Sequence, residues 1–177
     1  MCSGNKLAAM LALTLALAGC GPMADDLNPS GSDARGGPAS ASAAAPLTLM
    51  TAEGTTLTLE ALLAGRKAAV LYFTMWCPIC DSHQSSMQER FLPAWPEAAF
   101  VLMDYVSATP AQAREAALSS GWLNAGFTVA VDAGTGLRER FGATMGTVVV
   151  IDAAGNTLMA EDFKNGDRLW QTLEAMP

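Results

Sequence analysis

The chain has 177 residues, of which 51% are hydrophobic, 15% charged and 7% aromatic. At roughly 150 residues per domain that length suits one domain, and the density of apolar runs excludes wholesale disorder. Ten Lys and Arg against seventeen Asp and Glu give a net charge of −7, with no basic run longer than Arg66-Lys67, which excludes the cationic footprint that nucleic-acid binding requires.

At the start, Lys6 precedes an apolar run over residues 7–18, the length of a secretory hydrophobic region and too short to cross a bilayer. It ends in Leu17-Ala18-Gly19-Cys20, and small residues before a cysteine resemble the bacterial lipobox, whose cysteine is acylated and becomes the mature N-terminus. Residues 1–19 are therefore expected to be a lipoprotein signal peptide, with Cys20 lipidated. The four cysteines agree with this: Cys2 leaves with the signal, Cys20 becomes a thioether, and Cys77 and Cys80 remain as an even pair. Gly21-Pro22, not Asp, follows Cys20, and by resemblance to sorting signals this favours the outer membrane over the inner. Residues 20–46, rich in Gly, Ala, Ser and Pro, read as a flexible tether with a reach of about 25–30 Å. The acidic balance suggests that acyl chains, not the protein surface, hold the membrane.

From Leu47 onward the pattern is that of one folded domain, 47–177. Alternating residues at 47–50 and 56–59 flank Glu53-Gly54, a hairpin signal, and a short helical turn follows over 60–64 before Gly65. The continuous apolar run 68–73 predicts a strand covered on both faces. A helix is predicted over 78–90, with Pro78 near its first position and a break near Pro93 and Pro96. Strand 99–103, helix 109–118, strand 127–131 and short helix 136–141 come next, then strand 148–151, a turn at 154–156, strand 157–160 and a closing helix 168–176. Helices alternating with fully apolar strands predict an α/β class with a central sheet flanked by helices.

The chemistry concentrates at Trp76-Cys77-Pro78-Ile79-Cys80. In an extended strand two cysteines three apart would lie about 10 Å from each other, beyond the roughly 4.4–6.8 Å a disulfide tolerates; in a helical turn they fall within range. The pair sits where a strand passes into a helix. Cys77 takes the cap position, facing unpaired N–H groups and the positive end of the helix dipole, both of which favour a thiolate. Cys80, one turn in, is the more shielded sulfur. Pro78 lacks an N–H where none is needed.

Trp-Cys-Pro-x-Cys after a buried strand resembles the thioredoxin superfamily, and the leading hairpin and tether resemble its membrane-tethered TlpA- and ResA-like branch. The resemblance spans about residues 47–177. It implies a thioredoxin-like fold with a central mixed sheet and an N-terminal hairpin, in a monomer. It also implies thiol–disulfide exchange with periplasmic protein thiols and disulfides, and a membrane or periplasmic redox donor. Cys77 would attack, Cys80 would resolve the mixed disulfide and Trp76 would shape the rim. The redox-active pair would itself be the centre, with no dissociable cofactor.

Two positions depart from that family. No proline lies between Pro110 and Pro177, so Met145-Gly146-Thr147 stands where the family carries a cis-proline; Leu71 stands where thioredoxin has a buried carboxylate, six residues before the first cysteine. The first departure favours as alternative a Sco-like Cu(I) metallochaperone using Cys77, Cys80 and His83, with Met75, Met87 and Met145 as further soft donors. His83, about a turn beyond Cys80, is also a candidate to polarise the site. Thr74, three residues before Cys77, resembles a thiol peroxidase pattern, although Val70 replaces that family's proline. A structural zinc site lacks ligands. Asp81 reads as part of a solvated face.

Overall fold

The computed structural model describes residues 47–177. The expected signal peptide, the lipidated Cys20 and the tether lie outside the described residues.

Seven strands form one mixed sheet. The hairpin of β1 (Thr48–Thr51) and β2 (Thr56–Thr58) leads through α1 (Leu59–Leu63) into β3 (Ala68–Thr74). After α2 (Pro78–Ser86), a wide π turn (Met87–Phe91) and α3 (Leu92–Ala94) comes β4 (Ala98–Asp104). The chain continues through α4 (Pro110–Ser119), β5 (Thr128–Val131), α5 (Gly136–Phe141), β6 (Thr147–Asp152), β7 (Thr157–Asp162) and α6 (Asp167–Glu174). The strand order is β2-β1-β5-β4-β3-β6-β7. Strands β3, β4 and β5 run parallel, and the outer pairings are antiparallel.

Every residue of β3 and β4 is buried, as their unbroken apolar runs require of central strands. Side chains alternate between the two faces. Val70, Tyr72, Phe100, Leu102, Val148 and Val150 share one face with Cys80 of α2, Met87 and Phe91 of the π turn, and Leu169 and Leu173 of α6. Ala69, Leu71, Phe73, Val101, Met103 and Val149 pack on the other, against Leu62 of α1 and Leu137 and Phe141 of α5. The α/β class and the flanked mixed sheet are thus as the sequence predicts.

The helix after the cysteines differs from expectation. It does not break at Pro93 but continues to Ala94 through the π turn, where the Leu92 N–H bonds Met87 O, five residues back. Pro93 has no N–H to give and its ring crowds the carbonyl four residues earlier; widening the preceding turn relieves both problems. The chain leaves the helix at Trp95, before Pro96. One glycine at the other end of this face is fixed by packing. Gly166 caps α6 at φ +83°, and a Cβ there would lie 2.9 Å from Phe91 Cζ. This leaves no room for a side chain where α6 meets the π turn.

Candidate active site

The site is built at the end of β3, where backbone constraints set the sulfurs. Trp76 adopts φ 58°, an uncommon left-handed conformation for a bulky residue that costs on the order of 1–2 kcal/mol. Two bonds hold it there: its N–H donates to Thr74 Oγ1 at 3.1 Å, and its indole Nε1–H donates to Asp104 Oδ2 at 2.7 Å. Asp104 is fully buried at the end of β4. Its carboxylate also accepts from the N–H groups of Val106 and Ser107 and from the Ser107 hydroxyl at 2.6 Å. Four donors compensate the buried carboxylate, which in turn fixes the turn that presents Cys77.

Cys77 occupies the N-cap of α2 in extended backbone, Pro78 begins the helix, and Cys77 Sγ accepts the Cys80 N–H at 3.2 Å. These are the placements the sequence predicts. Both cysteines are free thiols, with Sγ 2.7 Å from Sγ. Cys77 is half-exposed, whereas Cys80 has no accessible surface. Only one of the two sulfurs can therefore be reached from outside.

Burial and hydrogen bonding act on the two sulfurs in opposite senses. Burial pushes the Cys80 thiol up, but hydrogen bonds to its sulfur outweigh it and hold it below the ordinary thiol value. They come from the Cys77 thiol, backbone N–H groups at Met75 and Cys77, and the Thr74 hydroxyl. Cys77 is held above that value by desolvation and by its hydrogen bond with Cys80, against N–H groups at Cys80 and Ile79 that favour its thiolate. The helix N-terminus acts on Cys77 as expected, yet its buried neighbour collects more donors. Once the first proton is lost the two sulfurs share the second.

Met145, Gly146 and Thr147 precede and open β6. Met145 Sδ lies 3.4 Å from Cys77 Sγ, so the thioether covers one side of the reachable thiol. Gly146, at φ +84°, ties this loop to the sheet: its N–H bonds Phe73 O and its carbonyl accepts the Phe163 N–H. Thr147 bonds Thr144 and Asp162, not the sulfurs. His83 faces Tyr72, whose hydroxyl lies 3.0 Å from Nδ1, and packs on the Phe163 ring at 4.8 Å between centroids. Burial lowers its pKa against the opposing pull of Asp162. Its nitrogen is thus engaged with the tyrosine, and among the described residues no three His, Cys, Asp or Glu side chains gather as a metal-holding group. Of the soft donors expected for copper, Cys77, Cys80 and Met145 lie together, while His83 is turned to Tyr72. Of the other soft donors, Met87 is fully buried in the core and Met75 is exposed.

Sequence reasoning missed Tyr72, Asp104 and Gln84. Tyr72 lies on the Cys80 face of β3 and its pKa is raised by burial and by the nearby Cys80 sulfur. Leu71, the residue six before Cys77, packs on the opposite face. Gln84 of α2 is fully buried and its Nε2 donates to Thr74 Oγ1 at 2.9 Å. Asp81, expected on a solvated face, is exposed but accepts the Trp122 indole N–H at 2.9 Å. A groove of about 650 Å³ between the β6–β7 turn and α6 contains neither cysteine.

The fold is thioredoxin-like. A thioredoxin-like protein from Aeropyrum pernix matches at 19% identity and a TM-score of 0.62, over 74% of this chain and 89% of that one. DsbF of Mycobacterium tuberculosis, solved in mixed oxidized and reduced forms, matches at 24% identity and a TM-score of 0.59, over 75% and 96%. A putative thiol:disulfide interchange protein DsbE from Chlorobium tepidum matches at 21% identity and a TM-score of 0.57, over 75% and 93%. No protein-family model matches the chain, and the comparison with curated proteins finds no match.

Proposed function

We propose that this chain is a thiol–disulfide oxidoreductase that exchanges disulfides with other proteins through Cys77 and Cys80. The observation that carries the reading is the pair itself: two free sulfurs 2.7 Å apart at a helix start, one reachable and one buried. In the reducing direction Cys77 Sγ, its proton passing to Cys80, bonds to one sulfur of a client disulfide, and the other client sulfur leaves as a thiolate. Cys80 then gives that proton to the departed client thiolate and attacks Cys77 Sγ, closing the Cys77–Cys80 disulfide and releasing the second client thiolate. Two electrons pass from the dithiol to the client, and the reverse sequence oxidises clients. Direction follows from the potential of the couple against its compartment.

The proposed setting is the periplasmic face of a bacterial envelope. There Cys20 carries the lipid, residues 20–46 provide reach, and periplasmic proteins and a redox donor are the partners. The lipobox-like sequence and the cysteine count support this. Among the described residues no helix is long and apolar enough to cross a membrane. The test is insulin reduction driven by dithiothreitol: wild type should outpace the uncatalysed reaction at least tenfold, and Cys77→Ser should return it to background. Equal rates for the two proteins would remove the reading.

A further inference from the structure

Three sulfur atoms meet beyond the end of β3. Cys77 Sγ lies 2.7 Å from Cys80 Sγ and 3.4 Å from Met145 Sδ. They come from segments far apart in the chain, the start of α2 and the loop before β6. That loop is pinned directly after Met145: the Gly146 N–H donates to Phe73 O at 2.9 Å, and the Gly146 carbonyl accepts the Phe163 N–H at 2.8 Å. Met145 also packs on the core beside Trp76 and Cys77, so its thioether is held at the thiols. Leucine would fill that space as well; what methionine adds is a soft, polarisable sulfur. Two thiolates and a thioether are a soft donor set of the kind that selects Cu(I). Structural zinc takes four ligands drawn from Cys, His, Asp and Glu, and among the described residues no third such side chain joins Cys77 and Cys80.

We propose that reduced Cys77 and Cys80 form, with Met145, a Cu(I) site of two thiolates and one thioether. Binding is a ligand exchange in which no electron moves. Both thiols lose their protons to solvent, two copper–thiolate bonds form, and the neutral thioether closes the set. Two thiolates on a monovalent ion leave one negative charge, placed at the start of α2, where the Cys80 N–H already donates to Cys77 Sγ at 3.2 Å. Metal–thiolate bonds of about 2.3 Å around a trigonal ion set its sulfurs about 4 Å apart. Cys77 Sγ must therefore back away from both partners, and Cys77 is the half-exposed member, with solvent on its free side. Methionine, with three rotatable bonds, can follow. The ion and the disulfide exclude each other, because a closed Cys77–Cys80 bond has no thiolate to offer. Copper would thus occupy only the reduced chain and withdraw Cys77 from exchange.

The test is an anaerobic titration of the reduced full chain with Cu(I), in competition with bicinchoninate. A chain carrying Cys77→Ser and Cys80→Ser gives the baseline, which accounts for copper held at Cys2 and Cys20. Wild type should take up one Cu(I) above that baseline, and the chain oxidised to the Cys77–Cys80 disulfide none. Met145→Leu, which keeps the packing volume, should weaken binding at least about tenfold, the loss that even an outer partner of a metal ligand produces. X-ray absorption at the copper edge should count three sulfurs in wild type and two in Met145→Leu. His83→Gln should bind within twofold of wild type. No uptake above baseline would overturn the site, as would Met145→Leu binding within twofold of wild type. A loss in His83→Gln as large as that in Met145→Leu would also overturn it. The site needs the two thiols but not the exchange activity. Copper uptake without insulin turnover would keep the site and remove the proposed function; turnover without uptake would do the opposite.

Discussion

Cys80→Ser should convert the chain from a catalyst into a trap. Cys77 is the reachable sulfur and would still attack a client disulfide, but the mixed disulfide would have no internal thiol to release it. Release then depends on an external thiol, and a neighbour held 2.7 Å away acts at an effective concentration far above millimolar glutathione. Turnover on insulin should fall on the order of 100-fold or more, with a covalent adduct on non-reducing gels that dithiothreitol dissolves. The substitution replaces a fully buried thiol with a smaller hydroxyl beside existing donors, so the fold should persist. A Cys80→Ser protein that turns over within a few-fold of wild type, with no adduct, would show that Cys80 does not resolve.

The second large effect is expected at Asp104, which touches neither sulfur. Asp104→Ala would strip the acceptor from the Trp76 indole, from the Val106 and Ser107 N–H groups and from the Ser107 hydroxyl, where the carboxylate had no accessible surface. Buried donors left without partners cost roughly 1–3 kcal/mol each, reduced where water enters, so a loss of about 3 kcal/mol in urea unfolding is expected. Asp104→Asn keeps one carbonyl oxygen for the N–H groups and should recover about half of it. Because Trp76 is held at φ 58° partly by this bond, its release should also loosen the presentation of Cys77, and exchange should slow even under conditions where the variant is folded. Wild-type stability and rate in Asp104→Ala would mean that Trp76 holds its conformation unaided.

Much of this arrangement was legible in the sequence because its causes are local. The cap at Cys77, the proline at the first helical position and the unbroken apolar runs of β3 and β4 each act within a few residues, and each element formed where the pattern put it. What escaped was set across elements. Counting back from Cys77 leads to Leu71, but a period of two sends that side chain to the far face and brings Tyr72 to the face of Cys80. That alternation could have pointed to the tyrosine. Nothing local pairs Trp76 with Asp104, twenty-eight residues on, although an aspartate closing an apolar strand before a serine is a signal of sorts. The continuation through Pro93 escaped for another reason: the rule that proline stops a helix has an exception when the preceding turn widens.

The most direct measurement is a redox titration of the full chain, followed by alkylation and intact mass, with its cysteines assigned by peptide mapping. Both Cys77 and Cys80 should pass together from alkylated to protected in one two-electron transition as the buffer becomes oxidising, and return together on reduction. Independent modification of the two sulfurs, or a bond from either to any other cysteine in place of this one, would contradict the account.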